Sequence, residues 1–430
     1  MLLHRQLDVS VKKNRVVCRR DFIKGVSLAG LSTGLLTWPD LMAVKAEELR
    51  SSGMSCILLW MQGGPSQFET FDPKPDHENG GETKAIETAV SGIQIADSWP
   101  HLAKMMGEVA LIRSMTSKEG NHQRATYQLH TGYAPTATVK HPALGAIVAK
   151  ELPNPQCQLP AFVRIGGFRN SGGGGLLGVE YDPFLIGNPT SPPANTQVPS
   201  STDRYRRRLD LLTKLEKDYG ASGAKQEVEN HQKLYAATAK MVTSPQMKAF
   251  QLSQETDATR KAYGSGNFAS GCLLARRLVE TGVPFVEVSA GNWDTHQDNF
   301  DRCRTLSTQV DQPFAALLND LKERGMLQKT LVVWMGEFGR TPRINPNGGR
   351  DHYPRSFNVA LAGGGVRGGQ VIGSTDKSGS SVSQRPVTVN DLFRSFCHSL
   401  QINANKENMS SIGRPIKVVD GGETVQELFS

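Results

Sequence analysis

The run from Cys56 to Met61 (CILLWM) constrains this chain most, because six apolar residues in a row stop abruptly at Gln62-Gly63-Gly64-Pro65. A strand with one wet face alternates apolar and polar residues. A continuous run bounded by a turn is instead the pattern of a strand buried on both faces. Shorter runs of the same kind recur at 109–112, 161–165, 285–288, 330–335 and 358–361. Helical stretches are expected between them at 205–219, 226–241, 268–281, 306–324 and 389–400. In the fourth of these, Val310, Phe314, Leu317, Leu318 and Leu321 share one face. Strands alternating with helices predict an α/β fold, a mostly parallel sheet covered by helices on both faces. Ligands of such sheets sit at the carboxyl ends of strands, so the loops there are where chemistry is to be sought. Gly, 43 of 430 residues, exceeds the usual share of roughly 7% and favours many tight turns over a helical bundle. Polar loops are expected at 73–92 and 187–201, and the charged segment 203–241 reads as a solvated helical pair inserted in the main domain.

A formal net charge of +8 invites a nucleic-acid reading. Eight of the 49 basic and three of the 41 acidic residues lie in the first 46 positions, however, leaving 41 basic and 38 acidic residues, a net +3. No basic stripe remains to hold a phosphate backbone, and nucleic acid is excluded as a partner. The N-terminal segment reads Arg19-Arg20-Asp21-Phe22-Ile23-Lys24, then a weakly apolar stretch and a small-residue exit, Val44-Lys45-Ala46. This is the layout of a secretory signal, and the paired arginines resemble a twin-arginine address for folded export. Residues 1–46 are accordingly expected to be the signal and 47–430 one α/β domain, placed in the periplasm or secreted. Folded export suits a protein that takes up a metal inside the cell, or one that folds too fast for the unfolded route. No apolar run of about 20 residues occurs, so no transmembrane span is expected. Cys56, Cys157, Cys272, Cys303 and Cys397 are isolated, with no CxxC among them, which argues against disulfides and a cysteine zinc site.

Several loops carry candidate chemistry. After the run at 285–288 comes Asn292-Trp293-Asp294-Thr295-His296-Gln297-Asp298-Asn299, carboxylates and an imidazole that together supply hard oxygen and borderline nitrogen ligands. A polar loop whose Asp and His cap the next helix would look the same. After the run at 330–335 come Glu337 and Arg340, then Gly349-Arg350-Asp351-His352. Arg340 has the planar fork that holds an oxyanion, whereas a Glu–Arg bridge fixing a loop is the structural alternative. Asn121-His122-Gln123-Arg124, with His130 two helical turns on, is a third cluster, equally readable as a helix with satisfied histidines. Gly63-Gly64-Pro65-Ser66 offers bare amides to an anion, but Ser66 has no adjacent base and is not expected to be a nucleophile.

The ordered set ILLWMQGGPSQ, TFDPKP, NHQRATYQLHTGY, NWDTHQDNF, MGEFGRTP and GRDHYP resembles the secreted, twin-arginine-exported proteins of the domain-of-unknown-function 1501 family, from about Cys56 to Ile402. That family is similar to the alkaline phosphatase and sulfatase superfamily, and the resemblance implies an alkaline-phosphatase-like sandwich with a metal site. It implies that Asp294 and His296 bind metal, that Glu337 stands where an Asp-His pair would be, with Phe338 replacing the imidazole, and that His352 matches the last metal histidine. It also shows departures. Gln62 stands in place of an early metal-binding Asp, and Asn121-His122-Gln123 stand where a Cys or Ser nucleophile would precede Arg124. One metal site remains, held by Asp294, His296 and His352 with Glu337 or Asp351, and taking zinc or calcium.

Two functions follow from these readings. The first is an exported metal-dependent hydrolase of phosphate or sulfate esters, acting on an anionic small molecule or glycan ester. There His122 is the acid or base, Arg124 and Arg340 offset substrate charge, and a metal-activated water attacks. The second is a non-catalytic envelope binding protein on the same fold, with an envelope protein or an anionic glycan as partner.

Overall fold

The computed structural model describes residues 53–167, 171–196, 201–221, 223–410 and 413–430, together with two paired dipeptides, Ser10–Val11 and Arg15–Val16. The chain divides into units 1–52 and 53–430. The expected signal, with Arg19-Arg20 and the exit at Ala46, lies outside the described residues. The five cysteines after it are all buried and free. No described helix is long and apolar enough to cross a membrane.

The apolar run becomes the centre of the main unit. It forms β1 (Ser55–Met61), and nine strands make the sheet: β2 (Val109–Thr116), β3 (Phe162–Ile165), β4 (Phe184–Ile186), β5 (Phe285–Ala290), β6 (Thr330–Met335), β7 (Phe357–Ala362), β8 (Gln370–Ile372) and β9 (Val387–Thr388) complete it. The strand order is β8-β2-β7-β6-β1-β5-β3-β4, with β9 also on β2. The longer helices are α1 (His122–Thr131), α2 (Leu144–Glu151), α3 (Thr202–Ala221), α4 (Lys225–Val242), α5 (Asn267–Thr281), α6 (Asn299–Glu323) and α7 (Val389–Ser399). Side chains of β1 alternate between two cores. Cys56, Leu58 and Trp60 pack with Leu144 and Ile147 of α2 and Phe393 and Phe396 of α7. Ile57, Leu59 and Met61 pack with Leu274 and Leu278 of α5 and Phe314 and Leu317 of α6. A strand wet on neither face has no reason to alternate polarity, and the continuous run in the sequence is explained. The result is the expected α/β sandwich, a mostly parallel sheet between two helical layers.

Two expectations need correction. The run at 358–361 was grouped with the parallel strands, but β7 runs antiparallel to both β6 and β2. No helix lies between β6 and β7, and without a crossover helix the chain returns in the opposite direction. The helix expected at 306–324 begins earlier, at Asn299, because its polar first turns are held by burial of Asn299 and Cys303 and carry no apolar periodicity to read. The loop at 73–92 contains a short strand, Ala85–Glu87, paired with Gln94–Ala96. The charged pair expected at 203–241 is the hairpin of α3 and α4.

One buried ion network ties α1 to the sheet. Glu287 on β5 accepts from Arg164 Nε of β3 at 2.7 Å and lies 3.2 Å from His130 Nε2. His130 Nδ1 is spent on its own helix, at the Thr126 carbonyl. His130 is therefore a structural residue, as the alternative reading of its cluster held. Burial pushes the Glu287 carboxyl up, but Arg164 and then His130 outweigh it and hold it at about 2. A depressed carboxyl stabilises the fold above its unfolded value of about 4.3. That contribution is lost as pH falls through about 2. Replacing Glu287 with Gln strands Arg164 without a counter-charge and should lower the unfolding free energy by about 3–5 kcal/mol at neutral pH in urea denaturation. The gap between Glu287→Gln and wild type should narrow as the acid range is entered.

Candidate metal centre

Four segments at the carboxyl edge of the sheet build the site. β1 opens into Gln62-Gly63-Gly64, β5 into the loop 291–298, and β6 into 336–340. Gly339–Arg340 then pairs antiparallel with His352–Tyr353, which folds the last ligand back over the edge. β2 runs parallel to β6 across the intervening β7, so α1 starts at the same edge. The Asn121 side chain caps α1 by accepting from the amides of Gln123 and Arg124, which places His122 in its first turn.

Three imidazoles converge on one carboxylate. Asp294 Oδ1 lies 3.1 Å from His296 Nε2 and 3.3 Å from His352 Nε2, and Oδ2 lies 3.3 Å from His122 Nε2. His296 and His352 bring their Nε2 atoms within 3.0 Å of each other. The opposite nitrogen of every ring is tied down. His122 Nδ1 is 2.8 Å from Glu337 Oε1, His296 Nδ1 is 2.8 Å from Asp351 Oδ1, and His352 Nδ1 is 2.8 Å from the Gly120 carbonyl. Carboxylate and carbonyl oxygens only accept, so these partners suit a proton on Nδ1, the tautomer that leaves Nε2 open to a cation beside Asp294. This is how a protein orients metal-binding histidines. His122 Nε2 is buried with no hydrogen-bond partner, and ligand atoms of His122, Asp294 and His352 lie within 4.8 Å of one another. The residues fit a cation.

Asp294, His296 and His352 therefore come together as expected. His122, expected as an acid or base, presents its Nε2 to the same point, so it too could hold a cation. Glu337 and Asp351, expected as ligands, contact the Nδ1 atoms of His122 and His296. Arg340 requires a larger correction. Its side chain is wholly buried and its guanidinium already serves Gly64 O from Nε, Arg350 O from Nη1, and Gly63 O, Trp293 O and Asp294 Oδ1 from Nη2. Buried among these partners, the guanidinium is not exposed to a substrate oxyanion. Arg124 is exposed and engaged with Glu119 at 2.7 and 2.6 Å, not with the Asp294 cluster. Gly63 and Gly64 do not cradle an anion either. Gly63 has φ of 119°, its amide donates to Glu337 Oε1, and a Cβ there would stand 2.5 Å from the Asp294 amide nitrogen. Ser66 is fully buried.

Electrostatics follow this geometry. Burial raises the Asp294 carboxyl, but the hydrogen bond and charge of Arg340, with His122 and His296, bring it to about 2. Burial lowers His352, helped by the Arg340 charge and opposed by the Gly120 carbonyl, and the net shift is downward, toward the neutral ring. For His122 burial pulls down, yet Glu337 and Asp294 outweigh it and its pKa is raised. Phe338, 1% exposed, lies against the His122 and His352 rings with centroids 4.9 and 4.6 Å away. An apolar ring thus fills the space where the resemblance calls for another imidazole. The Gly120 carbonyl was missed from sequence, since a carbonyl acceptor leaves no residue-type signal.

Removing the Glu337 side chain frees the His122 ring and leaves the Gly63 amide without its acceptor. Glu337→Ala is expected to weaken metal binding by about 10–100-fold in chelator competition. Glu337→Gln, which keeps an acceptor oxygen, should lose less.

Comparisons place the chain among known proteins. None of the curated proteins matches it. Among solved structures it is similar to the PsFucS1 sulfatase from Pseudoalteromonas sp., at 14% identity over 83% of this chain and 71% of that one, with a TM-score of 0.38. It is similar to a 2-O GAG sulfatase at 9% identity over 87% and 74%, with a TM-score of 0.44. It is also similar to the lipoteichoic acid synthase LtaP from Listeria monocytogenes at 9% identity over 83% and 74%, with a TM-score of 0.39. Residues 54–429, nearly the whole main unit, match the family described as "Protein of unknown function (DUF1501)", and the chain belongs to that family.

Proposed function

We propose that the protein is a hydrolase of phosphate or sulfate esters built around one divalent ion, held by Asp294, His122, His296 and His352. The observation that carries this reading is the convergence of three Nε2 atoms on Asp294, each ring fixed at Nδ1 by a different acceptor. Three imidazoles and one carboxylate suit zinc; calcium, which takes six to eight oxygens, is disfavoured. An ion held there supplies Lewis acidity toward an ester oxygen. The chain's own residues do the rest. Arg340 keeps Asp294 ionised and pointed at the histidines. Glu337, Asp351 and the Gly120 carbonyl hold protons at Nδ1 and so keep Nε2 free. Among the described residues, none of the hydrogen bonds of these four side chains goes to a Ser, Thr or Cys, which favours water as the attacking group. Water adds to phosphorus or sulfur, the bond to the leaving oxygen breaks, and the proton passes to that oxygen. Folded export by the twin-arginine route, into the periplasm or beyond, is part of the proposal and rests on Arg19-Arg20. Replacing both with Lys should leave the protein in the cytosolic fraction; unchanged export would remove this part.

Elemental analysis should find one zinc per chain, lost in His352→Ala, with zinc-dependent turnover of p-nitrophenyl phosphate or p-nitrophenyl sulfate. A raised His122 holds its proton more firmly, and a proton on Nε2 competes with the ion. Zinc affinity should therefore fall as pH is lowered toward and below 6.5, the ordinary His value. Metal with no turnover of either ester would favour the second reading, a non-catalytic binding protein, which buried Ser66 and the committed Arg340 guanidinium support. Folded protein without metal would remove the hydrolase reading.

A further inference from the structure

Five of the seven large apolar side chains that stand exposed among the described residues lie on one hairpin: Leu211, Leu215 and Tyr219 of α3, and Leu234 and Tyr235 of α4. On α3 they are not scattered. Leu211, Leu215 and Tyr219, 57%, 65% and 63% exposed, follow one another at four-residue spacing and form a row along the helix. Arg204 and Arg208 continue that row toward the helix start, and Arg207 flanks Leu211 one turn away. Among the described residues Arg206 faces Asp203, whereas Arg204, Arg207 and Arg208 are exposed and have no acidic partner. On α4, Val228 and Met241 are buried, while Leu234 and Tyr235 are less exposed than the α3 row, at 45% and 43%. Leu211 and Leu215, the most regular part of the row, stand exposed on α3 beside these arginines.

We infer that this face docks on an anionic lipid surface. An interfacial helix lies in the plane of the membrane with its apolar row in the headgroup boundary, and its arginines meet anionic headgroups at the border. A row of three side chains on a convex helix is far smaller than the roughly 800 Å² per partner of a stable protein interface. A bilayer requires no matching groove, because apolar insertion and charge attraction simply add. The unpaired cations at Arg204, Arg207 and Arg208 supply the charge complementarity. This inference is independent of the metal centre.

The test is sedimentation of the intact protein with phosphatidylcholine vesicles, with and without phosphatidylglycerol. Binding is expected only to the anionic vesicles and should fall with added salt. Arg204→Gln/Arg207→Gln/Arg208→Gln should weaken it on the order of a hundredfold, and Leu211→Ser/Leu215→Ser should abolish the remainder. These side chains are exposed, so both variants should keep the wild-type circular dichroism spectrum. Absence of binding, equal binding to neutral vesicles, or binding unchanged in both variants would overturn the inference. So would a dimer in sedimentation velocity that Leu211→Ser/Leu215→Ser returns to monomer, which would assign the row to a second copy of the chain.

Discussion

A buried guanidinium has no water to solvate it, and Arg340 meets that demand from three different loops. Its nitrogens reach carbonyls at Gly63, Gly64, Trp293 and Arg350 and the carboxylate of Asp294. Burying such a charge is unfavourable unless each donor finds a partner, so the loops that close on it are fixed together or not at all. Because Gly63 belongs to the exit of β1, Trp293 to that of β5 and Arg340 to that of β6, one side chain sets the spacing of three strand ends. A second buried cation works on the other side of the hairpin that carries His352. Arg350 donates to Glu69 Oε1 at 2.9 Å and to the carbonyls of Thr341, Pro342 and Asn79. The turn between the two hairpin strands is thus held from both ends by buried guanidinium groups.

The three imidazoles rest on acceptors of unequal quality, and this gives the site a direction. Glu337 is 1% exposed, so its hydrogen bond to His122 is made where water does not compete. Asp351 is 58% exposed, and its bond to His296 is correspondingly weaker. His122 also lies against Phe338, while His296 is the most open of the three rings. The centre is closed toward Glu337 and Phe338 and faces solvent along His296 and Asp351.

Much of the fold was legible because burial on both faces leaves a plain mark. CILLWM could hardly be anything but an inner strand, and the Val310-to-Leu321 face of α6 could hardly be anything but a core contact. The direction of β7 was hidden, because an apolar strand reads alike either way; only the missing helix between Met335 and Phe357 carried that information. In the site, residue type and strand-end position singled out Asp294 and His296, and the family resemblance added His352. Roles were harder. Whether Glu337 or Arg340 faces a ligand or supports one depends on which carbonyls and rings are nearby, and backbone acceptors have no sequence signature. Arg124 shows the same gap: its composition suits an anion site, yet Glu119 five residues earlier takes its fork.

The ligand loop itself is strained at both ends. Asn292 has φ of 72° and Asp298 of 50°, conformations that L-residues rarely adopt and that Asn and Asp tolerate best. Such positions cost on the order of 1 kcal/mol or more each and persist only where surrounding bonds over-determine them. Here they do. Arg302 donates to the Asn292 carbonyl at 3.0 Å, Arg340 to Trp293, the Arg350 amide to Thr295 at 3.0 Å, and Asn345 Nδ2 to His296 at 2.9 Å. Four carbonyls in a five-residue stretch are thus accounted for without help from Asp294 or His296 side chains. The loop's shape is thus held by hydrogen bonds from the chain itself, and these place its imidazole and carboxylate beside His122 and His352.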